Sequence, residues 1–143
     1  MIAKSVVACI GLSLLVGSAL AQETGAQSTG ISVELNKLET EDAACRPHLV
    51  LENQTEDDFE KLVLDLVMFD KDAIIARRLA VDIAPLRSGR LAVKVFSIPD
   101  LVCEDIGRML VNGVLDCTAS GAARSDCLDL LATRSRAEVD LIN

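Results

Sequence analysis

Three consecutive stretches, KLVLDLVMF (61–69), DKDA (70–73) and IIARRLAVDI (74–83), decide the fold class. In the first, Leu62, Leu64, Leu66 and Met68 fall on one face of an extended chain, because successive side chains of a strand point to opposite sides. Val63, Val67 and Phe69 make the other face largely apolar too, which predicts a strand central in its sheet. Asp70 to Ala73 has the composition of a turn and joins this strand to a second arm, so 61–83 reads as a hairpin. In that arm Ile75, Leu79, Val81 and Ile83 share a face, with Arg78 and Asp82 on the other. Ala73 stands where such a hairpin favours glycine, which predicts a turn without positive φ.

Working outward, the same period-2 pattern recurs. Ile31 to Leu35 (ISVEL) alternates strictly, and His48 to Glu52 forms another run, closed by Asn53-Gln54-Thr55 and the acidic Glu56-Asp57-Asp58. Pro85 and Ser88-Gly89 punctuate the chain before Leu91-Ala92-Val93-Lys94-Val95. Five short runs before residue 97 are the signature of an antiparallel β-sandwich or barrel, of about seven strands with those that follow. In 99–117, Val102, Ile106, Met109 and Leu110 also fit a helical stripe, but Gly107 and Gly113 would each weaken a helix by about 1 kcal/mol relative to Ala. The expectation is a bend at Cys103 and a strand from Ile106 to Asp116. A short helical turn is expected near 126–132 and a last strand over Ala137–Ile142.

The N-terminus speaks to the compartment. Lys4 precedes an apolar run from Ser5 to Gly17, and Ser18-Ala19-Leu20-Ala21 has the small residues that signal peptidase reads. This predicts a Sec-type signal peptide over 1–21, cleaved after Ala21, with no membrane span after cleavage and a periplasmic or secreted mature chain. Val6-Val7-Ala8-Cys9 matches the letters of a lipoprotein box but lacks an apolar segment upstream, and no paired arginines precede the run. Residues 22–30 (QETGAQSTG) read as a flexible lead-in to one domain over 31–143. Removing Lys4 with the signal leaves 13 basic against 22 acidic residues, a formal net charge of −9. That balance argues against nucleic acid and anionic membrane surfaces, both of which want a basic face.

Cys9 departs with the signal, leaving Cys45, Cys103, Cys117 and Cys127. An even set in an exported chain reads as two disulfides, with three connectivities open. A zinc site is disfavoured: no CxxC pair is present, and Cys45 stands 58 residues before Cys103. If consecutive strands alternate in direction, Cys45 and Cys103 lie at one end of the sandwich and Cys117 and Cys127 at the other. The expected pairs are therefore Cys45–Cys103 and Cys117–Cys127.

Catalytic chemistry has few places to reside. His48 is the only histidine, and no pattern places a serine beside it. Glu39-Thr40-Glu41-Asp42, Glu56-Asp57-Asp58 and Asp70/Asp72 offer hard oxygen ligands, yet the residues after Asp70 do not continue an EF-hand loop. There is no Trp or Tyr to present a sugar-binding face, and Phe59, Phe69 and Phe96 sit in or beside strand-like runs. Asn53-Gln54-Thr55 has the letters of a glycosylation sequon and reads as an ordinary turn. No catalytic residue, cofactor or metal site is expected.

ISVELNKLE, the Cys45-Arg46 step, LVLENQT, LDLVMFDKD with IIARRLAVDIAPL, and Cys103 with DIGRMLVNGVLDC together resemble a group of small bacterial exported proteins often labelled by a twin-arginine signal. This chain departs from that label by lacking paired arginines in its own signal. More loosely, the arrangement is similar to immunoglobulin-like sandwiches of the FxLYD kind, a likeness that implies fold alone. The functional expectation is a non-enzymatic periplasmic binding module with an unknown protein partner in the cell envelope. Its candidate surfaces are the loops Asn53–Asp58 and Thr118–Asp126 and the edges Ile31–Leu35 and Ala137–Ile142. One alternative is a hydrolase or metal-dependent enzyme using surface carboxylates and His48. Another is a folding helper that caps partner strands.

Overall fold

The computed structural model describes residues 29–143, and the expected signal peptide, its cleavage point at Ala21 and the lead-in up to residue 28 lie outside them. Nine strands make two sheets: β1 (Ile31–Glu41), β2 (Ala44–Asn53), β3 (Phe59–Asp70), β4 (Ile75–Asp82), β5 (Leu91–Val95), β6 (Ile106–Ala119), β7 (Ala122–Ala123), β8 (Leu131–Ser135) and β9 (Asp140–Ile142). The first sheet has the order β5-β2-β1-β8; the second runs β4-β3-β6-β7, with β9 also paired to β6. The all-β class follows from the sequence, but the count among the described residues is nine rather than seven.

The core forms where the inner faces meet. Leu62, Leu64, Leu66 and Met68 of β3 are fully buried, opposed by Ile31, Val33 and Leu35 of β1 and by Leu49 and Leu51 of β2. Each such side chain contributes about 2 kcal/mol on leaving water, and Leu64→Ala would cost about 2–5 kcal/mol, including the cavity it leaves. β3 is central, held between β4 and β6, and its outer-face Val67 is buried as well.

The extra strands come from the C-terminal third. Residues 126–132, expected to hold a helical turn, instead make successive tight turns: the N–H groups of Asp129, Leu130 and Leu131 donate to the carbonyls of Asp126, Cys127 and Leu128. No helix grows, because Leu131 already enters β8, which runs parallel to β1 with Ile31 opposite Leu131 and Leu35 opposite Ser135. The only helical turn among the described residues is a 3-10 turn at Cys103–Asp105, at the expected bend. β6 leaves it at Ile106 and continues past Asp116 to Ala119. Of Ala137–Ile142 only Asp140–Ile142 is strand, parallel to β6.

Two local expectations need correction. Ile75 does not share the buried face of Val81; it is 61% exposed. A bulge places Met68 opposite Arg77 but Phe69 opposite Ile75, which breaks the alternation. Ala73 takes φ 61°, the left-handed conformation that the composition argued against. The Asp70 side chain enforces it by accepting from the N–H groups of Asp72 and Ile74, both at 2.9 Å, while Ala73 N–H donates to the Asp70 carbonyl. Gly107 packs under this turn, where a Cβ would lie 2.5 Å from the Asp70 carbonyl oxygen.

Cys45 is joined to Cys103 and Cys117 to Cys127, the pairs that strand direction implies. The first ties the start of β2 to the 3-10 turn at one pole. The second ties the end of β6 to the turns before β8 at the other. Two disulfides are compatible with an oxidising compartment. No helix among the described residues is long and apolar enough to cross a membrane.

Candidate functional site

His48 lies on the outer face of the first sheet, with its Nε2 2.9 Å from Glu39 Oε2. Lys37 Nζ approaches the same oxygen at 3.3 Å, and the hydrogen bonds from Lys37 and then His48 hold the Glu39 carboxyl below its ordinary value. The other acidic runs are spent locally. Glu41 pairs with Arg46, and Glu104 accepts from Thr40 Oγ1. Asp70 locks its own turn. Among the described residues, no three potential metal ligands converge.

Two other carboxylates are the buried ones, and both sit on outer sheet faces. Glu34 on β1 is 3% exposed and accepts from Asn36 Nδ2 at 3.0 Å and Arg134 Nε at 2.6 Å, while Arg136 Nε lies at 3.1 Å. The Asn36 hydrogen bond, followed by those from Arg136 and Arg134, pulls its pKa from 4.5 to about 2 against the opposing effect of burial. On the second sheet Asp65 of β3 accepts a two-pronged pair from Arg78 of β4, at 2.8 and 2.7 Å, and a bond from Asn112 of β6 at 2.6 Å. Arg78 first and Asn112 next lower its pKa. Glu34 thus ties β1 to β8 and the residue just past it, and Asp65 ties β3 to both β4 and β6, a structural task that satisfies a charge otherwise costly to bury.

The two loops expected to bind, Asn53–Asp58 and Thr118–Asp126, do meet, at the pole of the Cys117–Cys127 disulfide. Arg124 Nη1 reaches Asp57 Oδ2 at 2.6 Å and also forks onto Asp126, which lowers the Asp126 pKa. Ser120 Oγ donates to Asp57, and Ser88 N–H to Asp58 Oδ1. Asn53 is fully buried; its Nδ2 donates to the carbonyls of Asp57 and Leu86, and its Oδ1 accepts from Thr55 N–H and Oγ1. The sequon asparagine is therefore a turn brace with its amide committed. These loops are fastened to one another, and their polar groups are largely used up.

The expected edges are corrected more sharply. Ile31–Leu35 is not an edge, since β1 lies between β2 and β8. The reason is β8 itself, a strand that the expectation of a helical turn over 126–132 does not include, although Leu131, Thr133 and Ser135 alternate with Ala132 and Arg134. β9 does take an outer position beside β6. The contacts between β8 and β9 put both on one flank and leave β5 and β4 as edge strands of the other.

β5 is the more open of the two. Its pairing with β2 runs from Leu91 opposite Glu52 to Val95 opposite His48, and the same register carries on to an isolated bridge between Ile98 and Cys45. At its other end the Arg90 carbonyl accepts from Asn53 N–H. By the alternation of an antiparallel ladder, residues 90, 92 and 94 then bond to β2, while Leu91, Val93 and Val95 turn their N–H and C=O groups to the open side. Leu91 is 66% and Val93 62% exposed, beside half-buried Val50 and Val95. β4 by contrast carries adjacent arginines, and Arg77 donates to the carbonyls of Pro99 and Asp100. At the Cys45–Cys103 pole a cleft of about 780 Å³ opens between the sheets, lined by Lys37, Leu38, Lys71, Ile106, Arg136 and Val139 among others.

In comparisons with known proteins, no family model and no curated protein matches this chain. Among solved structures, the fold is similar to that of IrmA from Escherichia coli, with a TM-score of 0.53 and 14% sequence identity, covering 73% of this chain and 90% of that one. At that identity the likeness concerns the fold alone.

Proposed function

We propose that this chain is an exported, non-enzymatic interaction module of the cell envelope. The observation that carries this reading is the open edge of β5, where two large apolar side chains stand exposed next to unpaired backbone groups. Soluble domains blunt such edges unless they use them, and strand addition is a recurrent way for a sheet to bind an extended segment. A role in holding partner strands during folding belongs to the same reading, because it would use the same edge. The disulfides and the expected signal peptide support a periplasmic or secreted location. Immunoglobulin-like topology is part of the proposal: β1, β2 and β5 share one sheet and β3 and β6 the other, as strands A, B, E and C, F do in those sandwiches.

In-cell cross-linking of tagged mature protein, with capture from periplasmic and envelope fractions, tests this reading. One partner enriched over a tag-only control, and lost on Val93→Pro, is the expected outcome. Recovery of the protein alone would refute it.

A further inference from the structure

Charge on this protein is unevenly divided. Residues 74–99, which comprise β4, β5 and their connection, hold Arg77, Arg78, Arg87, Arg90 and Lys94 against the single acid Asp82, in a chain whose formal net charge is −8. Arg78 is consumed by Asp65, and Arg77 by backbone carbonyls. No ion pair forms at Arg87, Arg90 or Lys94 among the described residues, and all three lie on β5 or within four residues of its start. Elsewhere most cations are tied to carboxylates, as Lys37, Arg46, Arg124, Arg134 and Arg136 are. The open apolar edge of β5 described above is therefore also a place where positive charge is left without an ion-pair partner.

Strand geometry orders these groups. Lys94 stands opposite the core residue Leu49 and Ala92 opposite Leu51, so Arg90, Ala92 and Lys94 belong to one face of β5 and Leu91, Val93 and Val95 to the other. Lys94 projects on the inward face at the flank, where a bare cation discourages an uncharged strand from joining the sheet. A carboxylate directly across the ladder reverses that effect, since opposite charges on facing residues stabilise a strand pair and like charges destabilise it.

We propose that β5 accepts an extended acidic segment of a partner protein as an added strand, with carboxylates four residues apart facing Arg90 and Lys94 and apolar residues between them facing Leu91 and Val93. This identifies the partner chemistry of the interaction module and rests on that reading. Pairing of two β5 edges is opposed by the same charges, because Arg90 and Lys94 of one copy would stand against those of the other.

The test uses mature protein and the capped peptide Thr-Glu-Val-Thr-Val-Glu-Thr, with its lysine-for-glutamate counterpart as control, followed by amide NMR and hydrogen exchange. The acidic peptide should shift and protect the amides of Leu91, Val93 and Val95, and raising salt from about 20 to about 200 mM should weaken it about fivefold or more. The double charge reversal Arg90→Glu, Lys94→Glu should reverse the preference between the two peptides. Val93→Pro, which removes an outward donor while sparing the ladder to β2, should abolish binding; Val93→Asp, which sets a like charge against the peptide's carboxylates, serves at the same exposed position if that variant fails to fold. Equal binding of the two peptides, shifts centred elsewhere, or a concentration-dependent dimer lost on Val93→Lys would overturn the assignment. Absence of peptide binding also overturns it, yet leaves the interaction module standing if cross-linking still captures a specific partner through another surface.

Discussion

Replacing Glu34 with Gln removes one negative charge from a site that is 3% exposed and spanned by two guanidinium groups. The carboxyl falls from 4.5 to about 2 in the folded chain, a drop worth about 3 kcal/mol at about 1.4 kcal/mol per pH unit. The Arg134 and Arg136 side chains are 57% and 71% exposed, so solvent screens part of this, and a loss of about 2 kcal/mol at pH 7 is expected. Because the folded pKa is depressed, the contribution is complete above about pH 4.5 and is lost as pH falls toward 2. Urea titrations followed by far-ultraviolet circular dichroism suit a chain without Trp or Tyr. Wild type and Glu34→Gln should differ by about 2 kcal/mol at pH 7 and by less than half of that at pH 3. Other carboxylates titrate in both proteins and cancel in the difference. A deficit that stays constant from pH 7 down to pH 2 would show that shape, not charge, is what Glu34 supplies, and would refute the reasoning.

Three further outcomes can be checked by equilibrium unfolding or peptide mapping. Asn53→Ala strips the turn brace of an amide that makes two bonds as donor and two as acceptor, so a loss of about 2–3 kcal/mol is expected, and expression in a glycosylating host should leave Asn53 unmodified. Ala73→Gly should raise stability by about 0.5 kcal/mol, since it relieves φ 61° at the cost of a freer unfolded chain. Removing the Cys45–Cys103 pair should cost roughly 4 kcal/mol and the Cys117–Cys127 pair roughly 3, following the lengths of loop they close; non-reducing digests should yield those two linked peptides and no crossed ones.

The sequence by itself determined the all-β class, the hairpin over 61–83, the central place of β3 and the cysteine pairing. Each rests on local alternation or on strand direction, which a single chain displays without knowledge of its neighbours. Tertiary structure decided the rest. Ile31–Leu35 alternates like an edge strand, yet β8 covers it, and which strand lies beside another is a matter of long-range packing. Glu34 and Asp65 fall on outward positions of the strand alternation; their burial arises from arginines 100 and 13 residues away in the chain. Ala73 departs from its propensity because the Asp70 side chain imposes a backbone angle that propensity disfavours. The candidate site divides in the same way. The excess of arginine and lysine over 74–99 is legible as composition, but it becomes a surface only because the chain crosses between sheets there and leaves β4 and β5 at one flank, where the backbone of β5 has no neighbour to bond.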